Sequence, residues 1–237
     1  MLASIWWFDG GFGVFFRASP VEDLGVSFRQ LRERAGGRGG KTMGVRGGQG
    51  GRAGHDAGGV QRHVALLRGI NVGGRHVLPM KDLVELFVVA GCEDVRTYIQ
   101  SGNVVFSAGA ALARRVPALI QASILERFGF EARVVLRKAD ELRAAVEANP
   151  FADVASRDPK KVHLALLSKP PTRAKVAALD HDRSPPDEFV VRGAEIYLHF
   201  PRGLARSKLT NLYFDRCLET TSTMRNWSTI LKLVALL

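Results

Sequence analysis

Apolar and polar positions are unevenly spread along the chain, and from His63 onward they fall into short runs separated by turn signals. HVALLRG reads as a strand by its continuous apolar run and its glycine stop. PMKDLVELFVVAG reads as a helix. Leu83, Leu86, Phe87 and Ala90 recur at helical spacing, Pro79 suits the first turn and Gly91 the position just past the end. DVRTYIQ and NVVFSA are two strands joined at Ser101-Gly102, a hairpin. A helix over Val116 to Phe128, the strand EARVVLR and the short helix ADELRAAVEANP complete the order β-α-β-β-α-β-α. That order predicts a split βαβ, ferredoxin-like plait: a mostly antiparallel sheet with helices packed on one face.

The second half of the chain echoes the first. KKVHLALLS is a strand, TRAKVAAL a short helix, and DEFVVRG with AEIYLHFP a second hairpin. Two further helices follow, SKLTNLYFDRCL and RNWSTILKLVALL. The fold class expected is therefore α+β, built from two plait-like halves over 61–150 and 151–237.

Ahead of these halves the texture differs. Of the 25 glycines, 12 fall between Gly36 and Gly59, where half of the residues are glycine. Such a segment cannot offset its ordering entropy by burial, so residues 1–60 are expected to be a disordered Gly/Arg-rich extension. The first 20 residues are apolar, but Asp9 and several glycines interrupt every run short of the roughly 18 residues a membrane span needs. With two cysteines in no CxxC pattern and no HxxxH spacing among six histidines, no metal site or disulfide scaffold is expected. A cytoplasmic protein without membrane attachment fits, and no cofactor is indicated. The net charge of +11 divides so that residues 63–237 carry 25 basic and 18 acidic side chains. The folded part is basic in its own right, which favours polyanionic partners, nucleotide or nucleic acid.

LLRGINVGG, TYIQSGNVVF, ANPF, the SKL of GLARSKLTN and RNWSTILKL, in this order from about His63 to Leu237, resemble the bacterial DUF1697 family, a domain of unknown function. The resemblance implies two α+β plait-like halves and no particular activity. It also implies that residues 1 to about 60 have no counterpart, so a translation start at Val60, or at Met43, is expected in place of Met1. Ala205 stands where the family commonly has glycine.

Candidate chemistry is polar and basic, with no catalytic set. LLRGINVGG lacks the GxGxxG spacing of a dinucleotide fingerprint, and GGRGGKT lacks the first glycine of a P-loop. Two readings of the first motif stay open. Arg68, Asn71 and the N–H groups of Gly73 and Gly74 line an anion nest, or the glycines supply positive φ while Asn71 bonds the turn. Gln100, Ser101 and Asn103 flank a tight turn and offer amide and hydroxyl groups to a polar site. Ser101 has no base beside it and is no nucleophile. Ser207 and Lys208 are placed at a helix start, where free N–H groups favour an anion. Arg225 and Asn226 are placed at another, and Arg225 is the residue expected to grip a phosphate or carboxylate.

The function expected is binding of a phosphate-bearing ligand at a composite site of these residues. The alternative is a small-molecule enzyme with a pocket between the halves and an unknown reaction.

Overall fold

The computed structural model of the protein describes residues 59–237. The apolar start, the glycine-rich segment, the P-loop-like GGRGGKT and Met43 lie outside the described residues.

The first half runs β1 (Gln61–Arg68), α1 (Met80–Val89), β2 (Glu93–Tyr98), β3 (Asn103–Ala108), α2 (Ala110–Phe128), β4 (Arg133–Lys138) and α3 (Ala139–Glu147). After a linking helix α4 (Ala152–Arg157), the second half repeats the order. It runs β5 (Val162–Leu167), α5 (Arg173–Ala177), β6 (Glu188–Arg192), β7 (Glu195–His199), α6 (Asn211–Leu218), β8 (Ser222–Asn226) and α7 (Trp227–Leu236). Each half forms a four-stranded antiparallel sheet, ordered β2-β3-β1-β4 in the first and β6-β7-β5-β8 in the second. The α+β class and the two similar halves are those expected from the sequence.

Alternation along the strands explains the layering. On the outer face of the first sheet, His63 stacks on Phe106, and Phe106 meets Phe87 of α1 at a ring separation of 5.2 Å. The outer face of the second sheet carries Ala165, Leu167, Ile196 and Leu198, packed with Phe214 and Leu218 of α6. The inner faces share one apolar cluster. Val64, Leu66, Val105 and Val135 join Leu164, Leu166 and Tyr197, together with Leu142 and Ala145 of α3 and Trp227, Ile230 and Leu233 of α7. The continuous burial of Val64 to Leu67 and of Val162 to Leu167 follows, because both faces of each central strand are covered.

Three element assignments differ from the sequence reading. α2 begins at Ala110, with Pro117 inside it. α6 begins at Asn211, capped by Thr210, whose hydroxyl accepts from the Tyr213 N–H; Ser207 lies ahead of it in irregular chain. STMRN is the edge strand β8, not a helix start, and only Asn226 caps the helix that follows, accepting from the Ser228 N–H at 3.0 Å. β8 lacks a run of apolar residues, so it shows no strand signal in the sequence.

Candidate functional site

The loop after β1 is closed by one side chain. Asn71, in the left-handed region with φ 54°, donates through Nδ2 to the carbonyls of Leu78 and Gln100, each at 3.0 Å, and its Oδ1 accepts from the Leu78 N–H at 2.8 Å. The Arg75 N–H donates to the Val72 carbonyl at 3.0 Å across Gly73 (φ 58°) and Gly74 (φ 72°). Positive φ at both central residues of such a turn is what glycine supplies. Local hydrogen bonds thus engage both polar atoms of the Asn71 side chain, as the turn reading requires.

Asn103, fully buried at the start of β3, donates to the Tyr98 carbonyl at 3.1 Å and to Ser101 Oγ at 2.8 Å. Its Oδ1 accepts from Arg225 Nε at 2.6 Å. Arg225 reaches this point from β8, across the inner faces. Its Nη2 donates to the carbonyls of Leu67 (2.6 Å) and Ser101 (3.0 Å), and its Nη1 to Thr223 Oγ1 (2.8 Å) and the Met224 carbonyl (3.0 Å). A guanidinium carries five N–H groups, and all five are engaged. None of the acceptors is a carboxylate, and burial pulls the Arg225 pKa down to about 10. Asn71, the Gln100 carbonyl, Ser101, Asn103 and Arg225 therefore converge in one network that fastens the second half to the end of β1, while the Gln100 side chain is exposed and outside it.

The same fastening occurs in reverse. Arg137 of β4 donates through Nη2 to the carbonyls of Leu167 (2.7 Å) and Ala194 (3.0 Å), and through Nε to Glu195 Oε1 at 3.1 Å. Leu67 and Leu167 hold equivalent places at the ends of β1 and β5, and each donates its N–H to the hairpin turn of its own half, at Gly102 (2.7 Å) and Ala194 (2.8 Å). Arg137 and Arg225 are reciprocal clamps about an approximate twofold relation.

Ser207, Lys208 and Asn226 join other networks. Ser207 Oγ accepts from the Leu209 N–H at 3.0 Å, the Lys208 N–H donates to Ser184 Oγ at 3.1 Å, and Asn226 Nδ2 donates to the Lys160 carbonyl at 3.0 Å. The hydrogen bonds of Ser207 and Lys208 stay within their own stretch and the 183–184 segment, while Asn226 holds a neighbouring turn.

Arg68 lies elsewhere again, in an open cleft of about 650 Å³ at one end of the junction between the sheets. Arg68 and Arg133 come from the paired ends of β1 and β4, Ser168 and Lys169 from the end of β5, Asp215 and Arg216 from α6, with Glu219, Thr220 and Thr221 beyond it. Both carboxylates already have cations. Asp215 accepts from Arg68 Nη1 at 2.6 Å and from the N–H and hydroxyl of Ser222, each at 2.7 Å. Glu219 pairs with Lys175 at 2.5 Å, which holds its carboxyl below the usual range. Arg133 uses one donor, on Thr221 Oγ1 at 3.1 Å, and is exposed. Lys169 and Arg216 are exposed, and neither side chain makes a hydrogen bond. The cleft thus presents cationic donors left open to solvent, beside three hydroxyl-bearing residues. Among the described residues, no group of three His, Cys, Asp or Glu side chains is placed to hold a metal ion.

Arg133, Lys169 and Arg216 carry no motif. A signal that bears on them is the near-repeat HVALL (63–67) and HLALL (163–167), which aligns Arg68-Gly69 with Ser168-Lys169 and marks equivalent strand ends.

Residues 60–197 match the profile of the family described as "Protein of unknown function (DUF1697)". The chain belongs to this family. No curated protein matches it. Among solved structures, the conserved bacterial protein SP0830 from Streptococcus pneumoniae is similar, with 23% sequence identity and a TM-score of 0.56 over 75% of this chain and 98% of that one. At that identity the likeness is one of fold. No helix among the described residues is long and apolar enough to cross a membrane.

Proposed function

We propose that this DUF1697 protein binds a phosphate-bearing ligand, nucleotide or nucleic acid, in the cleft lined by Arg68, Arg133, Lys169 and Arg216. The observation that carries the reading is the imbalance of that cleft: four cations stand against two carboxylates, and both carboxylates are already paired. Guanidinium groups with open donors suit phosphate oxygens, and the Thr221 hydroxyl, which accepts from Arg133, keeps its own proton for a ligand, whereas the Ser168 and Thr220 hydroxyls are bonded to each other and to the backbone. Of the residues expected from the sequence, Arg68 contributes directly, held in place by Asp215 and the Ser222 carbonyl. Asn71, Ser101, Asn103 and Arg225 hold the halves together away from the ligand, and Asp215 with the Ser222 carbonyl positions Arg68. Gly73 is assigned to a turn, Ser207 to a local hydrogen bond and Asn226 to a cap, and Lys208 lies outside the cleft lining.

Inorganic tripolyphosphate tests the reading without assuming a base or sugar. A ligand that binds the native state raises the unfolding midpoint by mass action. The expected result is a midpoint that rises with millimolar tripolyphosphate in the wild-type chain and rises less in Arg133→Gln and Arg216→Gln. Equal shifts in wild type and both variants, or no shift at all, overturn it.

A further inference from the structure

We infer that the cleft takes the sugar–phosphate backbone of a single-stranded nucleic acid rather than a mononucleotide, an inference that rests on the phosphate-binding reading above. The usual nucleic-acid surface of a plait is closed in this protein. Phe106, an aromatic of the β3 strand, is fully buried against Phe87 and His63, and Tyr98 packs partly against the inner cluster. Both faces of the central strands are covered, so neither sheet offers bases a stacking platform.

The cleft has no such platform either. Its lining holds no aromatic side chain, and Leu212, 52% exposed, is its apolar member. Stacking on an aromatic ring is the main contact a base makes where such a ring exists, so a base here gains nothing comparable. Small-molecule sites typically enclose most of their ligand, whereas this cleft opens to solvent and lacks the apolar walls a nucleoside needs.

What remains is phosphate and sugar recognition. Arg133, Lys169 and Arg216 stand on three separate elements, β4, the segment after β5, and α6. Arg133 spends one donor on Thr221, Lys169 lies near enough to Glu219 to favour its charged form but makes no side-chain hydrogen bond, and Arg216 makes none, so each keeps donors for a phosphate. The Thr221 hydroxyl accepts from Arg133 and keeps its own proton, and threonine hydroxyls are common partners of phosphate oxygens. The basic excess of residues 63–237 supplies the long-range attraction a polyanion feels more strongly than a mononucleotide.

The test compares three fluorescently labelled probes by anisotropy at several salt concentrations, using the full chain: a 12-mer of deoxythymidine, an abasic 12-mer of the same backbone, and ATP. Residues 1–62 carry 9 basic side chains of their own, so the readout is the difference between wild type and Lys169→Gln/Arg216→Gln. Both residues are exposed and make no side-chain hydrogen bond, and Lys169→Arg/Arg216→Lys serves as the charge-retaining control.

The expected result has the two 12-mers binding within about threefold of each other and ATP at least about tenfold weaker. The slope of log affinity against log salt for the 12-mers should fall by about 1.4 in the Gln variant, as loss of two phosphate contacts predicts, and remain in the charge-retaining one. An abasic 12-mer about tenfold weaker than its base-bearing twin, or ATP binding as tightly as the 12-mers, overturns the backbone inference and leaves the phosphate site standing. Affinities of all three probes unchanged by Lys169→Gln/Arg216→Gln overturn the site itself.

Discussion

Arg225 and Arg216 lie nine residues apart on the two sides of one turn, and their surroundings differ completely. Arg225 places all five N–H groups on protein acceptors and bridges the halves. Arg216 stands exposed on α6 and makes no hydrogen bond through its side chain. The same side chain is a clamp in one place and leaves its donors open to solvent in the other, and what decides is how many donors the fold has already used. An arginine read from sequence at a promising position therefore says little about binding until its hydrogen bonds are counted.

Removing the clamp should give the largest effect on stability. Arg225→Ala strips the buried carbonyl of Leu67 and the amide oxygen of Asn103 of their partners, and unmet buried acceptors cost about 1–3 kcal/mol each. A loss of about 3–5 kcal/mol is expected in urea unfolding, and a loss below about 1 kcal/mol would break the distinction between clamp and receptor. Gly102→Ala attacks the same junction from the turn. A Cβ there would meet Leu67 Cβ at 2.7 Å and Ile70 Cδ1 at 2.8 Å, on a residue with φ 72°. The expected destabilisation is about 2–4 kcal/mol, and an unchanged midpoint would show that the turn has room to move.

The paired histidines sharpen the comparison between halves. His63 and His163 occupy equivalent buried positions, but His63 Nδ1 donates to the Gln61 carbonyl at 2.9 Å whereas His163 Nδ1 has no partner. Burial lowers both, His163 to about 4. A histidine whose folded pKa lies below its unfolded value of 6.5 loses stability as pH falls from about 6.5, and the loss levels off near 4. Between pH 7 and pH 4.5, wild type should lose about 2 kcal/mol more than His163→Leu. Parallel pH profiles for the two proteins would remove His163 from the account. The smallest stability effect belongs to the cleft: Arg216→Gln should shift unfolding by under about 0.5 kcal/mol, and a larger cost would mean that this arginine has structural work.

Much of the fold was legible because it rests on continuous apolar runs and turn glycines. HVALLRG, NVVFSA and KKVHLALLS all became strands, and Gly91 (φ 96°) ends α1 as expected. β8 was illegible because STMRN has little to bury at a sheet edge, and with it went the true position of Arg225. The sequence reading groups Asn71, Gln100, Ser101, Asn103 and Arg225 in one composite site together with Arg68, Gly73, Ser207, Lys208 and Asn226. That the donors of Arg225 are used up within the protein is not visible in the sequence, since its partners lie 122 to 158 residues away. Arg133, Lys169 and Arg216 were hidden for the same reason: only the meeting of β4, β5 and α6 makes them neighbours.

The central claim is that Arg225 holds the halves while the cleft holds the ligand. The most direct measurement is the dissociation constant for tripolyphosphate of folded Arg225→Lys, taken at a temperature well below its unfolding midpoint. A value within about twofold of wild type, from a protein whose midpoint has dropped, is the result predicted. A tenfold weaker affinity at an unchanged midpoint would contradict the account and place Arg225 in contact with the ligand.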